Sequence, residues 1–358
     1  MREPAAVVKA AIVACAILTP IACAQSVDPQ REAPAAGVVG ATLDAAVQRA
    51  NGGGWLITQA LDFNADGMAD VLWNDPERSL VAVWLMEGNR LLAPGPLIPG
   101  PVGARWFAKT SDFNADGMGD VLFRHEEQGA MAVWLMDGSQ LLAPGPILPG
   151  PGGSGWFARA IDYNADNMAD VLWSHAERSV MAVWLMEGTR LLTPGPFIPG
   201  PLGDGWDVAA VGDFNADGMA DAVWRHVEQN LMAVWLMEGT HLLAPGPLIP
   251  GPIGDGWAIA WGADFNGDGM ADVLWNNAEQ NLMAVWLMEG SQLLAPGPFV
   301  PGPIGDGWVA RTAADVNLDG MADVVWQRGE ASEMAVWLME GSQLLAPGPV
   351  IPGPYDGG

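Results

Sequence analysis

Cysteine is almost absent from this chain. Of 358 residues only Cys15 and Cys23 are cysteine, both within the first 24 positions. A chain cut after Ala24 therefore has no disulfide to hold it in an oxidising compartment, and its stability must come from packing and metal. Basic residues are scarce too, with 15 Lys and Arg against 42 Asp and Glu and a formal net charge of −27. A polyphosphate partner needs clustered cations and none are clustered here, which argues against nucleic acid. There are four His, and no Gly-x-Ser-x-Gly elbow, phosphate loop or cysteine nucleophile, so no catalytic residue is nominated and a non-enzymatic role is expected. Long apolar runs are missing as well. The run from Ala10 to Ala24, behind Arg2 and Lys9, is too short to span a bilayer, so no transmembrane segment is expected in the mature chain. It reads as an export signal over residues 1–24, with Ala22-Cys23-Ala24 as the cleavage pattern, Gln25 as the first mature residue and a secreted product. The competing reading makes Cys23 the lipid-bearing first residue of a lipoprotein, with Pro20 where a Leu would be expected.

What is abundant is tryptophan and repetition. Eighteen Trp and a hydrophobic fraction of 50% argue against disorder despite the charge. The segment Asp-Phe-Asn-Ala-Asp-Gly-Met-Ala-Asp beginning at Asp62 returns at Asp112, Asp162, Asp213, Asp264 and Asp315, at spacings of 50 or 51 residues. Each unit opens on a Trp and a short strand-like run, continues through the Asp-rich loop into Val-Leu-Trp and Ala-Val-Trp-Leu-Met, and ends in Leu-Leu-Ala-Pro-Gly-Pro-x-x-Pro-Gly-Pro. The run Ala82 to Met86 is apolar on both alternating faces, so it must be covered on both faces. Glu87-Gly88 ends it too soon for a helix. Four short strands in a repeat of about fifty residues predict an all-β fold, a β-propeller of six four-stranded blades over residues 52–358. Residues 25–51 form a leader too short for a blade. The repeat ends hold 24 of the 29 prolines and belong on outer edges, since proline cannot donate to a ladder.

The Asp-rich loop carries the chemistry. Asp-x-Asn-x-Asp-Gly-x-x-Asp offers oxygen ligands at positions 1, 3, 5 and 9 and a main-chain carbonyl at position 7, the ligand type a calcium ion takes. The candidate ligands are Asp62, Asn64, Asp66, Met68 and Asp70 in the first repeat, and Asp112, Asn114, Asp116, Met118 and Asp120 in the second. The third supplies Asp162, Asn164, Asp166, Met168 and Asp170, and the fourth Asp213, Asn215, Asp217, Met219 and Asp221. Asp264, Asn266, Asp268, Met270 and Asp272 follow in the fifth, then Asp315, Asn317, Asp319, Met321 and Asp323 in the sixth. Up to six calcium ions are expected. The plainer alternative is a set of Asx turns with solvated carboxylates. Asn167 replaces the loop glycine in the third repeat and tolerates a left-handed backbone.

This loop, its spacing and the strand behind it resemble the FG-GAP/VCBS repeats of the integrin α-chain head and of many secreted bacterial proteins. The resemblance covers residues 52–358 and implies a calcium-stabilised propeller with a role in adhesion or ligand binding. That head has seven blades where this chain has six repeats, and no ligand-contacting residue carries over.

Among the remaining candidates, His125, His175 and His226 recur just after the second strand and are expected to be surface turn residues. Glu87, Asp137, Glu187, Glu238, Glu289 and Glu340 recur at strand ends as turn residues. Arg124, Arg225 and Arg328 vary between repeats and are either ligand contacts or solvated charges. Trp106, Trp156, Trp206, Trp257 and Trp308, at the repeat starts, are the candidates for sugar-stacking platforms. The function expected is a calcium-binding module for glycan or protein ligands. The alternatives are an enzyme acting on polysaccharide and a purely structural envelope or matrix protein.

Overall fold

The computed structural model describes residues 54–305, 307–329 and 332–354. The expected export signal, the leader and the lipoprotein alternative at Cys23 lie outside these residues. Within them the repeats fold as six antiparallel sheets, one per repeat. In the first blade the inner strand is Leu56–Leu61, the second Asp70–Asp75, the third Leu80–Glu87 and the outer strand Arg90–Pro94. A two-residue strand, Ile98–Pro99, pairs with the other half of the third strand, where Val81 faces Ile98. The outer strand is thus one edge broken in two by Gly95-Pro96, as its prolines require. Among the described residues no helix is long and apolar enough to cross a membrane.

Why these strands stack face to face is visible in the third one. Val81 and Val83 pack with Trp106, Val121 and Phe123 of the second blade. Ala82, Trp84 and Met86 pack on the opposite side with Val325, Met334 and Val336 of the sixth. Both faces are covered because each blade is sandwiched between two others. The same cluster joins the last blade to the first, so the ring is closed.

Polar bonds close it as well. The residue five places into the second strand reaches the inner strand of the next blade. Arg124 donates to the Trp156 carbonyl at 3.0 Å, and Arg225 donates to that of Trp257 at 3.2 Å. At the junction of the sixth and first blades Gln327 donates to the Trp55 carbonyl at 2.7 Å and accepts from the Ile57 amide at 3.0 Å. The amide at loop position 8 donates to the carbonyl of the position-1 Asp of the preceding loop, and the belt ends where Ala69 meets Asp315 at 2.8 Å.

The difference between the 50- and 51-residue spacings has a structural reason. In the first, fourth, fifth and sixth blades the inner strand carries a bulge, at Thr58, Ala209, Ala260 and Arg311. The inner strands of the second and third blades pair without one.

Candidate functional site

Each Asp-rich loop joins the inner strand to the second strand of its blade. The position-2 residue, Phe63 in the first loop, is fully buried and pins the loop to the core. The loop then closes on its own amides. Asp62 accepts from the Asn64 amide through Oδ1 at 3.0 Å and from the Gly67 amide through Oδ2 at 2.7 Å. Asn64 Oδ1 accepts from the Asp66 amide, and Asp66 Oδ1 from the Met68 amide at 2.8 Å. Position 4 is left-handed throughout, at φ 57° for Ala65 and 65° for Leu318, as is position 6. Asn167 takes the position-6 conformation at φ 67°, as its side chain allows.

The position-9 Asp behaves differently from the other two. Asp70 is fully buried. Its Oδ2 accepts from the Phe63 amide at 3.0 Å, and its Oδ1 from the Met86 amide at 2.8 Å. Met86 is at the irregularity where the third strand slips register against the outer one, and Asp70 satisfies the amide there. The same pair of bonds recurs at Asp120, Asp170, Asp221, Asp272 and Asp323. Burial pushes Asp70 up to about 6 against the pull of its two backbone bonds, with repulsion from Asp66 and Asp62 adding to the rise. The other five are pushed to about 7 for the same reasons.

A calcium ion fits the chemistry of the exposed rim. Every donor is oxygen, which suits a hard cation and not a soft one, and the carboxylates of one loop repel one another without it. Among the described residues no group of three or more His, Cys, Asp and Glu side chains is placed to hold a metal ion. A loop thus brings at most two carboxylates together, and neutral oxygens such as Asn64 Oδ1 must complete any site.

Trp106, Trp156, Trp206, Trp257 and Trp308 are 0–5% exposed, so these rings are not open platforms for a sugar. They pack between blades, Trp156 with Leu122 and Val133 of the second blade, and within its own blade Trp156 stacks on Phe197 at 5.4 Å and meets the edge of His175 at 5.2 Å. His125, His175 and His226 end the second strand rather than following it in the turn, and they are buried rather than at the surface. His125 Nδ1 accepts from the Glu127 and Gln128 amides, as Asp75 accepts from Glu77 and Arg78 in the first blade. Burial lowers the pKa of His125 and keeps the ring neutral for that work. Arg124 and Arg225 are buried staples between blades rather than ligand contacts. Glu87 and Glu187 are exposed at strand ends, and Glu187 pairs with Arg190 across its turn.

A second concave feature lies on the axis. A cavity of about 240 Å³ is lined by the inner strands of all six blades, among them Gln59, Lys109, Arg159 and Trp261. Lys109 Nζ lies 5.6 Å from the ring centre of Trp261, which comes from the opposite blade, and donates to the Thr58 carbonyl at 3.2 Å. Arg159 donates through Nη2 to the Ala209 carbonyl at 3.1 Å. Reading the repeats for what they share passes over these residues. The signal that finds them is the column three before each loop, which reads Gln59, Lys109, Arg159, Ala210, Trp261 and Thr312.

Among solved structures the fold is similar to that of an Agrocybe aegerita lectin described by its specific recognition of non-reducing terminal N-acetylglucosamine. That match has 18% identity and a TM-score of 0.52, over 84% of this chain and 80% of the lectin. A mutant of AofleA from Arthrobotrys oligospora matches at 12% identity and a TM-score of 0.51, over 84% of this chain and 88% of that one. Identities this low speak for the fold alone. No curated protein matches the sequence. The FG-GAP-like repeat model matches five times in overlapping spans, at 62–123, 112–173, 162–224, 213–275 and 264–326. With the loop-to-strand unit of that repeat recurring around a closed ring of six blades, the chain belongs to the FG-GAP-like repeat family.

Proposed function

We propose that this is an exported, calcium-loaded propeller that works as a non-enzymatic binding module for glycans. The observation that carries the reading is the sixfold presentation of one acidic loop, closed by the same hydrogen bonds each time. A surface repeated this closely suits weak sites used together, where avidity replaces affinity per site. Asp62, Asn64 and Asp66, with the Met68 carbonyl, would hold the ion in the first blade, and Asp70 would support the loop beneath it. Bound calcium neutralises the loop carboxylates and adds its binding energy to folding. The lectin of like fold supports a glycan as the ligand class over a protein.

The test combines native mass spectrometry with a glycan array. Close to six calcium ions per chain are expected, with array signals that vanish in excess chelator and return when calcium is restored. An ion count near zero removes the calcium part of the reading. A flat array with the calcium-loaded protein removes the glycan part.

A further inference from the structure

The sixfold symmetry that governs the surface fails on the axis, and the way it fails specifies a ligand. Lys109 is the only lysine after Lys9 in a chain of net charge −27, and it lies inside the axial cavity rather than among the acidic loops. Arg159, on the adjacent inner strand, lines the same cavity. The cavity lining contains no carboxylate. Cations that line a low-dielectric space favour an anion beside them.

The charges are partly offset. Asp207 is buried beside Ser174, its carboxyl is pushed up to about 6 by burial, and attraction to Arg159 opposes that rise. It is not part of the lining, and its two carboxylate oxygens, like Nη1 of Arg159, are buried with no hydrogen-bond partner. The guanidinium fork that lines the cavity through Arg159 therefore keeps an unmet donor. Such a fork accepts a carboxylate in a bidentate manner.

Apart from Gln59 and Ser111, the rest of the wall is apolar. Leu61, Ala160, Ile161, Val211 and Ala314 contribute methyl groups, and Trp261 contributes an indole that extends across the axis. The volume of about 240 Å³ corresponds to roughly eight water molecules at liquid density, which limits the ligand to a small molecule. A bare inorganic anion would leave most of this wall without a partner. We propose that the axial cavity is a binding site for one small amphipathic carboxylate per chain, its carboxylate held by Lys109 and Arg159 and its apolar body packed against Trp261 and the inner-strand alanines. This site is separate from any glycan site on the repeats, and its stoichiometry of one distinguishes the two.

Fluorine NMR titration of 4-fluorobenzoate into the calcium-loaded protein tests it, with 4-fluorobenzamide as the neutral twin. Saturable binding of one 4-fluorobenzoate per chain is expected, with affinity for the amide at least tenfold weaker. Lys109→Met and Arg159→Met should each weaken the carboxylate at least tenfold. Ala314→Leu keeps both charges and narrows the cavity, so it should abolish binding in a chain that still melts cooperatively, which covers the case in which a charge variant fails to fold. The proposal is overturned by any of four results: no saturable binding, equal binding of the amide, a stoichiometry near six, or unchanged affinity in folded Ala314→Leu. Displacement of 4-fluorobenzoate by an equal concentration of inorganic phosphate would overturn the apolar part of the assignment.

Discussion

Two aspartates of one loop, four residues apart, do different work. Asp66 is exposed and Asp70 is fully buried, with an amide donating to each of its oxygens. Asp70→Asn turns one acceptor into a donor facing an amide, which leaves a buried group unsatisfied and costs about 1–3 kcal/mol. Asp66→Asn removes charge at the rim and should shift metal-free stability by about 0.5 kcal/mol or less. Urea unfolding in chelator checks both, and equal effects would show that position 9 is not the anchor described. Calcium titration should rank them the other way for the neighbouring rim, with Asp66→Asn lowering the ion count by one. The oxygen-rich pattern is legible in the sequence because ligands at alternate positions are visible as letters. The anchoring role of Asp70 is not, because its second partner, Met86, comes from another strand 16 residues away. The same limit applies to the repeat-start tryptophans. Their type is plain, but whether a ring is exposed depends on the neighbouring blade, which only the closed ring supplies.

Strands are where sequence and structure agree most closely. Alternation, turn residues and the two-sided apolar third strand place every blade strand, and the prolines do mark the outer edge. Less visible is the task of the glycine between those prolines. A Cβ on Gly95 would sit 2.1 Å from the Val83 carbonyl, and Gly145, Gly195, Gly246, Gly297 and Gly348 meet the same obstacle at 2.1–2.2 Å. The Gly95 amide donates to that carbonyl at 2.9 Å, so the approach is needed for the bond. Gly195→Ala must therefore push the outer strand off the blade. A loss of about 2 kcal/mol or more is expected from such a backbone clash, against a change within about 0.5 kcal/mol for an alanine at the open, exposed position of Leu202. Thermal unfolding of the two variants side by side decides it, and a mild Gly195→Ala would mean that the outer edge is loosely held. The inner-strand bulges were only half legible. The extra residue shows as a spacing of 51, but nothing in the letters says which strand absorbs it, since register is a property of two strands.

Closure belongs to the whole molecule, and so does its response to pH. Gln327 joins the last blade to the first with two bonds, yet its neighbours at this position are Asn74, Arg124, Ser174, Arg225 and Asn276, a column too mixed to announce a latch. The six anchoring Asp residues act in concert because all are buried in one fold. Their ordinary pKa is 3.8, and in the fold they are pushed up to about 6 at Asp70 and about 7 at the other five. Between those values the folded chain holds more protons than the unfolded chain. By linkage, metal-free stability then falls as pH rises from about 4 to about 7 and levels off above that. Repulsion within a chain of net charge −27 acts in the same direction. Calcium opposes both, since it supplies positive charge where the protons leave. In chelator the melting temperature at pH 5 should therefore exceed that at pH 8, and saturating calcium should narrow the gap mainly by raising the value at pH 8. A metal-free protein that melts higher at pH 8 than at pH 5 would show that the backbone bonds to these carboxylates outweigh their burial. In that case calcium would be adding to loops already stable in ionised form rather than replacing lost protons.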